Sequence, residues 1–225
     1  MPHRRSTMSL STKRIVIVDD HPSTRDGLVI RVGLEPDLEV VGEASDVDEA
    51  IAVIGEVQPD LAVIDISLKT SSGIDLVKAV KERFPRVKML VWSMYEESLY
   101  AERALRAGAM GYINKQQVTE TIIDAIRTIL AGELFISKEL SAKMLQRVIT
   151  GKGSVAGSPV DSLSDRELET FRLIGQGMPT KEIAKAMSLS PKTIETYRAR
   201  IKEKLELDDM SSLTREAAQW VLENA

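Results

Sequence analysis

The sequence predicts an α/β fold, a parallel sheet wrapped by helices, followed by a smaller domain built from helices alone. Three observations predict it. Five short apolar runs alternate with stretches of helical periodicity between residues 13 and 131, as expected of strand-helix-strand units with right-handed crossovers. The polar clusters Asp19/Asp20, Asp65, Ser93 and Lys115 each stand at the end of one of those runs. Beyond a Gly/Ser-dense stretch near residues 151 to 159 every pattern is helical, so that stretch reads as a flexible linker.

The first strand, Ile15-Val16-Ile17-Val18, is β-branched throughout and ends on Asp19-Asp20. Pro22 suits the first turn of the next helix, where its missing N–H removes no bond, and that helix runs to about Leu34. Leu38 to Ala44 is a second strand. Asp46 caps a helix to Val57, with Glu49 at the reciprocal capping position. Leu61-Ala62-Val63-Ile64 is apolar on both faces and ends abruptly on Asp65, as a buried parallel strand does. Ile74, Leu76, Val77, Val80 and Phe84 have helical spacing. Lys88 to Trp92 is the fourth strand, ending at Ser93; Leu99 to Ala107 is a helix with Gly108 as its cap. Gly111-Tyr112-Ile113 is a short fifth strand leading to Asn114-Lys115, and Thr119 caps a helix that carries Ile122, Ile123, Ile126, Ile129 and Leu130. One more helix is predicted over 137–149. In the second domain Ser164-Asp165-Arg166-Glu167 is a capping box. Thr180 to Met187 is a short helix, Ser188-Leu189 a tight turn, and Ser190-Pro191 opens a helix reaching Leu205. Two short helices joined by a tight turn suggest helix-turn-helix. A last helix spans roughly 211–222.

Composition removes several function classes. With no cysteine there are no disulfides, thiolate metal sites or cysteine nucleophiles. His3 and His21 are the only histidines, which supplies a multi-histidine metal site or a Ser-His-Asp triad poorly. A net charge of −4 gives no overall attraction to nucleic acid or anionic membranes, so such binding must be local. No uncharged apolar run has membrane-spanning length, and the polar first twelve residues lack the apolar core of a signal peptide, so a cytoplasmic protein without membrane contacts is expected.

Ligands of open α/β sheets bind in the crevice beyond the strand carboxyl ends. There Asp19, Asp20 and Asp65 can hold one hard cation such as Mg²⁺, which takes oxygen ligands and tolerates one or two carboxylates. Such an ion would cancel the repulsion between Asp65 and an incoming phosphoryl donor. Lys115 would add a fixed positive charge and Ser93 a hydroxyl hydrogen bond to the same anion. Any one of these residues taken alone reads as a helix cap or a surface ion pair; the whole set at one sheet edge reads as a phosphoryl-accepting site. Tyr112 is either an ordinary half-buried aromatic or a switch, rotating inward if the Ser93 hydroxyl moves toward a phosphorylated Asp65.

Residues 13 to about 131, with Val18-Asp19-Asp20-His21-Pro22 and Gly111-Tyr112-Ile113-Asn114-Lys115, resemble a two-component receiver domain, and residues 160 to 223 resemble the LuxR-type helix-turn-helix. Together they resemble a response regulator of the NarL/FixJ type. The resemblance implies a flavodoxin-like sheet in the order 2-1-3-4-5 and a phosphoryl group accepted on Asp65 from a histidine kinase or phosphotransfer protein. It also implies Mg²⁺ held by Asp20, Asp65 and the Ser67 carbonyl, with Asp19 acting through water. With the polar start and the Gly/Ser stretch read from composition, the chain divides into a disordered tail (1–12), receiver (13–133), linker (134–159, a helix plus the flexible stretch) and DNA-binding domain (160–225). Lys69 departs from the proline usual in the family after Leu68.

Between residues 181 and 204 seven basic residues face three acidic ones, an excess hidden by five carboxylates against one arginine in residues 205–225. On a helix-turn-helix that patch becomes a phosphate-binding footprint on double-stranded DNA. Lys192, Thr196, Tyr197 and Arg200 are expected to face the groove, Thr193 to hold a phosphate at the helix start, and Lys181 and Lys204 to add contacts. LuxR-type relatives often carry Lys at Glu195, His at Tyr197 and a basic residue at Met210. Glu195 either accepts from a cytosine amino group or pairs with Arg198 or Lys192. The expected protein is a phosphorylation-gated transcription regulator that dimerises on activation, with RNA polymerase a further candidate partner, and not an enzyme beyond its own phosphoryl transfer. Two alternatives stand beside it. One is a DNA-binding regulator whose receiver works without phosphorylation; the other is an aspartyl-phosphate phosphohydrolase, which lacks its second Asp because Ser67 stands there.

Overall fold

Strand β1 (Lys13–Val18) runs between β2 (Leu38–Ala44) and β3 (Leu61–Ile64), and β4 (Lys88–Ser93) and β5 (Gly111–Asn114) complete a parallel sheet in the order β2-β1-β3-β4-β5. This is a computed structural model, and it describes residues 12–68, 72–116, 120–149, 159–187 and 189–224. Residues 1–11 of the expected tail, the Lys69 departure, the Thr119 cap, residues 150–158 of the linker and Ser188 of the tight turn lie outside the described residues. The chain divides into two compact units, Met1–Ile136 and Ser137–Ala225. That division falls inside the 134–159 stretch expected to join the domains, and α6 (Lys138–Ile149) groups with the second unit.

The helices of the first unit are α1 (Pro22–Gly33), α2 (Val47–Val57), α3 (Gly73–Arg83), α4 (Glu97–Ala107) and α5 (Glu120–Leu130). Alternation along the strands sends Ile15, Ile17, Leu61, Val63, Leu90 and Ile113 to one face, where they pack with Leu28 and Val32 of α1 and Ile122, Ile126 and Ile129 of α5. The other strand residues, Val16, Val18, Ala62, Ile64, Met89 and Val91, are equally buried. A sheet covered on both faces needs continuous apolar strands, which is why β3 has no polar position. Register then fixes the functional edge. Val18 pairs with Ile64, Ile64 with Val91, and Ser93 with Asn114, so the residues that end or follow β1, β3, β4 and β5 share one crevice. It opens beside β1, where the strand order reverses.

The structure corrects one cap. Glu49 N–H donates to Asp46 at 2.9 Å as expected, but the Glu49 carboxylate turns back to the Ser45 N–H at 2.7 Å and the Ser45 hydroxyl at 2.8 Å. The reciprocal bond is thus one residue earlier than in the standard box.

In the second unit a 3₁₀ turn (Pro159–Ser162) leads to α7 (Asp165–Gly175), α8 (Thr180–Ala186), α9 (Pro191–Lys204) and α10 (Met210–Asn224). Ser164 and Glu167 form the complete capping box of α7. Leu168, Phe171, Ile174, Ile183, Ile194, Ile201, Leu213 and Ala217 are among its buried apolar residues, and Phe171 packs on Trp220 with ring centroids 5.8 Å apart. Gly175 lets α7 and α10 approach closely: a Cβ there would lie 2.3 Å from the Ala217 carbonyl oxygen. Among the described residues, no helix is long and apolar enough to cross a membrane.

Candidate functional site

Asp65, the first residue past β3, is 2% exposed. Its N–H donates to the Val18 carbonyl at 2.8 Å, which holds its backbone against β1, and its Oδ1 accepts from the Ser67 N–H at 3.1 Å. Behind it α3 begins unusually close. Ser72 caps that helix by accepting from the Ile74 N–H at 3.1 Å, and the Gly73 N–H donates to the Ile66 carbonyl at 3.0 Å. A Cβ on Gly73 would sit 2.1 Å from the Asp65 carbonyl oxygen and 2.6 Å from Ile66 Cα. Only glycine fits there.

Lys115 enters from the far end of β5. Its Nζ lies 2.8 Å from Asp65 Oδ2 and 2.7 Å from Asp19 Oδ2, and 5.2 Å from the centroid of the Trp92 ring. The Lys115 N–H donates to the Ser93 carbonyl at 2.7 Å, which ties the lysine to β4. Asp19 Oδ1 accepts from the His21 N–H at 2.8 Å, which holds the turn before α1, while Oδ2 faces Lys115 in the crevice. The helix-cap reading of Asp19 is therefore corrected: α1 has no side-chain cap at its N-cap, His21.

His21 is the neighbour that sequence reasoning left out. Its Nδ1 lies 2.8 Å from Asp20 Oδ1 and 3.5 Å from Asp19 Oδ1, although the ring is largely exposed. Its place directly after Asp19-Asp20 was the available signal. Asp19, Asp20, His21 and Asp65 can each bring one ligand atom within 4.8 Å of the others.

The charge balance inside the crevice is uneven. Asp19, Asp20 and Asp65 are all buried, and among the described residues Lys115 is the one ammonium that reaches Asp19 and Asp65. Arg25 donates to the Asp19 carbonyl at 2.6 Å but is itself paired with Glu43 at 3.0 Å. Burial pushes the Asp65 carboxyl above the usual carboxylate range, and Lys115 opposes that without cancelling it. A buried oxygen-donor set with surplus negative charge fits a hard divalent cation. Asp19, Asp20 and Asp65 supply that set.

Ser93 and Tyr112 are brought together deeper in. Ser93 is fully buried, and its Oγ accepts from the Tyr95 N–H at 3.3 Å. Tyr112 is 2% exposed and donates its hydroxyl to the Tyr95 carbonyl at 2.8 Å. The reading of an ordinary half-buried aromatic is therefore corrected: the ring is already inside. Burial raises the Tyr112 hydroxyl pKa well above that of a free tyrosine, with Ser93 acting in the opposite direction, so it remains a donor. Asn114, which was not singled out, donates to the same Tyr95 carbonyl at 2.9 Å, and Tyr95 stacks on Tyr100 of α4 at 4.5 Å. The Tyr95 carbonyl thus joins β5 to the start of α4.

In the second unit Ser190 caps α9, accepting from the Thr193 N–H at 3.1 Å, with the Thr193 hydroxyl 2.8 Å away. Ile194 and Ile201 bury one side of α9; Lys192, Glu195, Thr196, Ala199, Arg200 and Glu203 are exposed. Thr193 and Tyr197 are half-buried on the flank beside Arg200. Lys181 is exposed on α8. Glu195 pairs with Arg198 at 3.3 Å and accepts from the Thr180 hydroxyl at 2.9 Å.

Lys204 has an internal task that its sequence position did not reveal. Its Nζ lies 2.6 Å from Glu167 Oε2 and 3.1 Å from the Ser162 carbonyl. It binds the end of α9 to the start of α7. Burial would raise the Glu167 carboxyl, but Lys204 and the Ser164 N–H outweigh it and hold the pKa below the ordinary 4.5. A lowered carboxylate pKa stabilises the fold above the unfolded value and loses that contribution as pH falls. Lys204→Met is expected to cost about 1 kcal/mol at pH 7, at the low end for a charged hydrogen bond because the lysine is partly exposed. Urea titrations at pH 7 and below 4 should show the difference between variant and parent shrinking in acid.

A model of the response regulator receiver domain matches residues 15–127, and one of bacterial regulatory proteins of the luxR family matches residues 161–217. The oxygen regulatory protein NreC of Staphylococcus carnosus (strain TM300) is 35% identical over 204 residues, covering 89% of this chain and 94% of that protein. NreC of Staphylococcus haemolyticus (strain JCSC1435) is 34% identical over the same length, with coverage of 89% and 94%. Among solved structures, a LuxR-family two-component response regulator from Aurantimonas sp. SI85-9A1 is 32% identical with a TM-score of 0.57, covering 62% of this chain and 99% of that one. RcsB of Salmonella typhimurium is 25% identical with a TM-score of 0.55, covering 92% of this chain and 99% of that one. The chain belongs to the response regulators that join a receiver domain to a LuxR-type helix-turn-helix.

Proposed function

We propose that Asp65 is the phosphoacceptor of a phosphorylation-gated transcription regulator, and that its phosphorylation favours a DNA-competent dimer. The observation that carries this reading is the Lys115 ammonium placed between Asp65 and Asp19 at 2.8 and 2.7 Å in a buried acidic crevice.

The donor is a phosphohistidine on a kinase or phosphotransfer protein. An Asp65 carboxylate oxygen forms the new O–P bond as the donor P–N bond breaks, and the leaving histidine nitrogen takes up a proton. Lys115 passes from the free carboxylate to a phosphoryl oxygen, so one cation serves both states. Mg²⁺ on Asp20, Asp65 and the Ser67 carbonyl, with Asp19 through water, would supply charge cancellation for the phosphoryl oxygens. The acyl phosphate adds up to about two negative charges. The Ser93 hydroxyl turns toward them, and the Tyr112 ring, already inside, is then held there. The equilibrium shifts toward the dimer because only that arrangement gains the new contacts. The chain turns over no other substrate, and a histidine-kinase donor and a DNA target place it in the cytoplasm.

Lys192, Thr196 and Arg200, with Lys181 and the Thr193 end of α9, meet double-stranded DNA; Tyr197 contributes from the flank. RcsB of Salmonella typhimurium shows conformational dynamism for DNA interaction, and here the exposed face of α9 would meet the DNA. Lys204 is withdrawn from the contact set because its ammonium is engaged with Glu167. RNA polymerase is a further candidate partner of the bound dimer.

The test is selection from a random duplex pool with and without acetyl phosphate and Mg²⁺. Enrichment of a two-half-site sequence, tighter with the donor, is expected; equal affinity in both conditions defeats the gating. Lys192→Ala and Arg200→Ala should each weaken binding and reduce the slope of log affinity against log salt by about 1, measured by fluorescence anisotropy across a salt series.

A further inference from the structure

Glu195 is a carboxylate on the face of α9 that the DNA-binding reading turns toward polyanionic DNA, and its side chain is 58% exposed. A negative charge there opposes phosphate binding. Yet it is not a loose solvated glutamate. Its Oε1 accepts from the Thr180 hydroxyl of α8 at 2.9 Å and from Arg198 Nη1 at 3.3 Å. Arg198 Nη1 also donates to that same Thr180 hydroxyl. Arg198 is mostly buried beneath, with its Nε buried and lacking an acceptor among the described residues. The carboxylate is therefore oriented by two donors on one oxygen. Among the described residues nothing donates to Oε2, which is left for a ligand.

An acceptor-only group held in a fixed direction selects a donor. In the major groove the donors on base edges are the amino groups of cytosine and adenine, and adenine sets an acceptor, N7, beside its own. A single carboxylate oxygen is repelled by that N7 and by the O6 and N7 of guanine, which leaves cytosine. Ala199, one turn further along, is small and exposed, so a base edge can come close. Lys192, one turn back and also exposed, is placed to donate to a guanine acceptor beside that cytosine.

We propose that Glu195 is a specificity-determining residue that reads the amino group of one cytosine in each half-site, with Thr180 and Arg198 as its positioning residues. This rests on the DNA-binding reading of α9. It gives the otherwise unfavourable charge a function: the carboxylate rejects sites lacking that cytosine.

The experiment is selection from a random duplex pool with the full chain treated with acetyl phosphate and Mg²⁺. The proteins compared are the parent, Glu195→Ala, Glu195→Gln, Thr180→Ala and Thr180→Ser, each checked for helix content by circular dichroism. The parent should enrich cytosine at one fixed position of each half-site. Glu195→Ala should reduce the preference at that position alone by about 5- to 100-fold, the range one good base contact supplies. Glu195→Gln should move the preference there toward adenine, whose N6 and N7 a glutamine amide can pair. Thr180→Ala should blur the same position and Thr180→Ser restore it, which a merely structural threonine would not do. An unchanged consensus in Glu195→Ala, with or without a general rise in affinity, overturns the proposal and leaves the DNA-binding reading standing. A parent protein that enriches no sequence removes both.

Discussion

Replacing Asp65 with Asn is expected to reduce labelling by acetyl phosphate in Mg²⁺ to background while the chain stays folded. Asn is the same size and keeps a carbonyl oxygen for the Ser67 N–H, so the backbone turn after β3 has no reason to move. Lys115 retains Asp19 at 2.7 Å and is not left unpaired. What disappears is the nucleophilic oxygen and one of three buried negative charges. The sign of the stability change follows from the pKa direction. Burial raises the Asp65 carboxyl, so its stabilising contribution is present below the unfolded pKa and is lost as pH rises through the folded value. At pH 7 the ionised group is a cost, and the Asn variant should unfold at the same urea concentration or a higher one. Mg²⁺ should raise the parent's midpoint and raise the variant's less, because a ligand bound only by the native state stabilises it by mass action. Labelling of the Asn variant at the parent's level would remove Asp65 from the chemistry.

Gly73→Ala should be the most damaging single-methyl change near the crevice. The added carbon would lie 2.1 Å from the Asp65 carbonyl oxygen and 2.6 Å from Ile66 Cα. Both are backbone atoms, so no side-chain rotation relieves the overlap. Either α3 withdraws, losing the packing of buried Ile74, Leu76 and Val77, or the Asp65 turn shifts and separates the carboxylate from Lys115. Overpacking of this kind costs about 1–3 kcal/mol, and the upper end is expected here. Phosphoryl labelling should fall together with the urea midpoint. Gly27→Ala is the matching control: it lies in mid-α1, its Cβ would meet nothing within 4 Å, and it should stabilise by about 0.5–1 kcal/mol. A Gly73→Ala protein as stable and as reactive as the parent would show that α3 yields freely.

The outline of the fold and the membership of the crevice were legible because both follow from one-dimensional patterns. Continuous apolar strands imply a sheet covered on both faces, and a residue that ends such a strand lies at the sheet edge whatever the detailed packing. Asp65 and Lys115 could be paired from sequence on that ground, before any distance was known. What was not legible depends on reach and direction. Glu49 prefers Ser45 to its own cap because two donors converge there, which spacing cannot express. Lys204 looked like a phosphate contact because it ends a basic helix, and only the tertiary packing of α9 on α7 brings it to Glu167. The intolerance at Gly73 was hidden for the same reason, since glycine in a Ser/Gly loop reads as freedom rather than close approach.

The position of the Lys115 ammonium over the Trp92 ring has a spectroscopic consequence. The chain has two tryptophans, Trp92 in β4 and Trp220 in α10, so each compact unit carries its own fluorophore. In the proposed transfer of Lys115 from the carboxylate to a phosphoryl oxygen, the cation near the Trp92 indole would be displaced, and the emission is expected to change within the first unit alone. Trp220, packed on Phe171, would report independently on the helical unit. Signal arrival and its readout can therefore be timed in one unlabelled molecule.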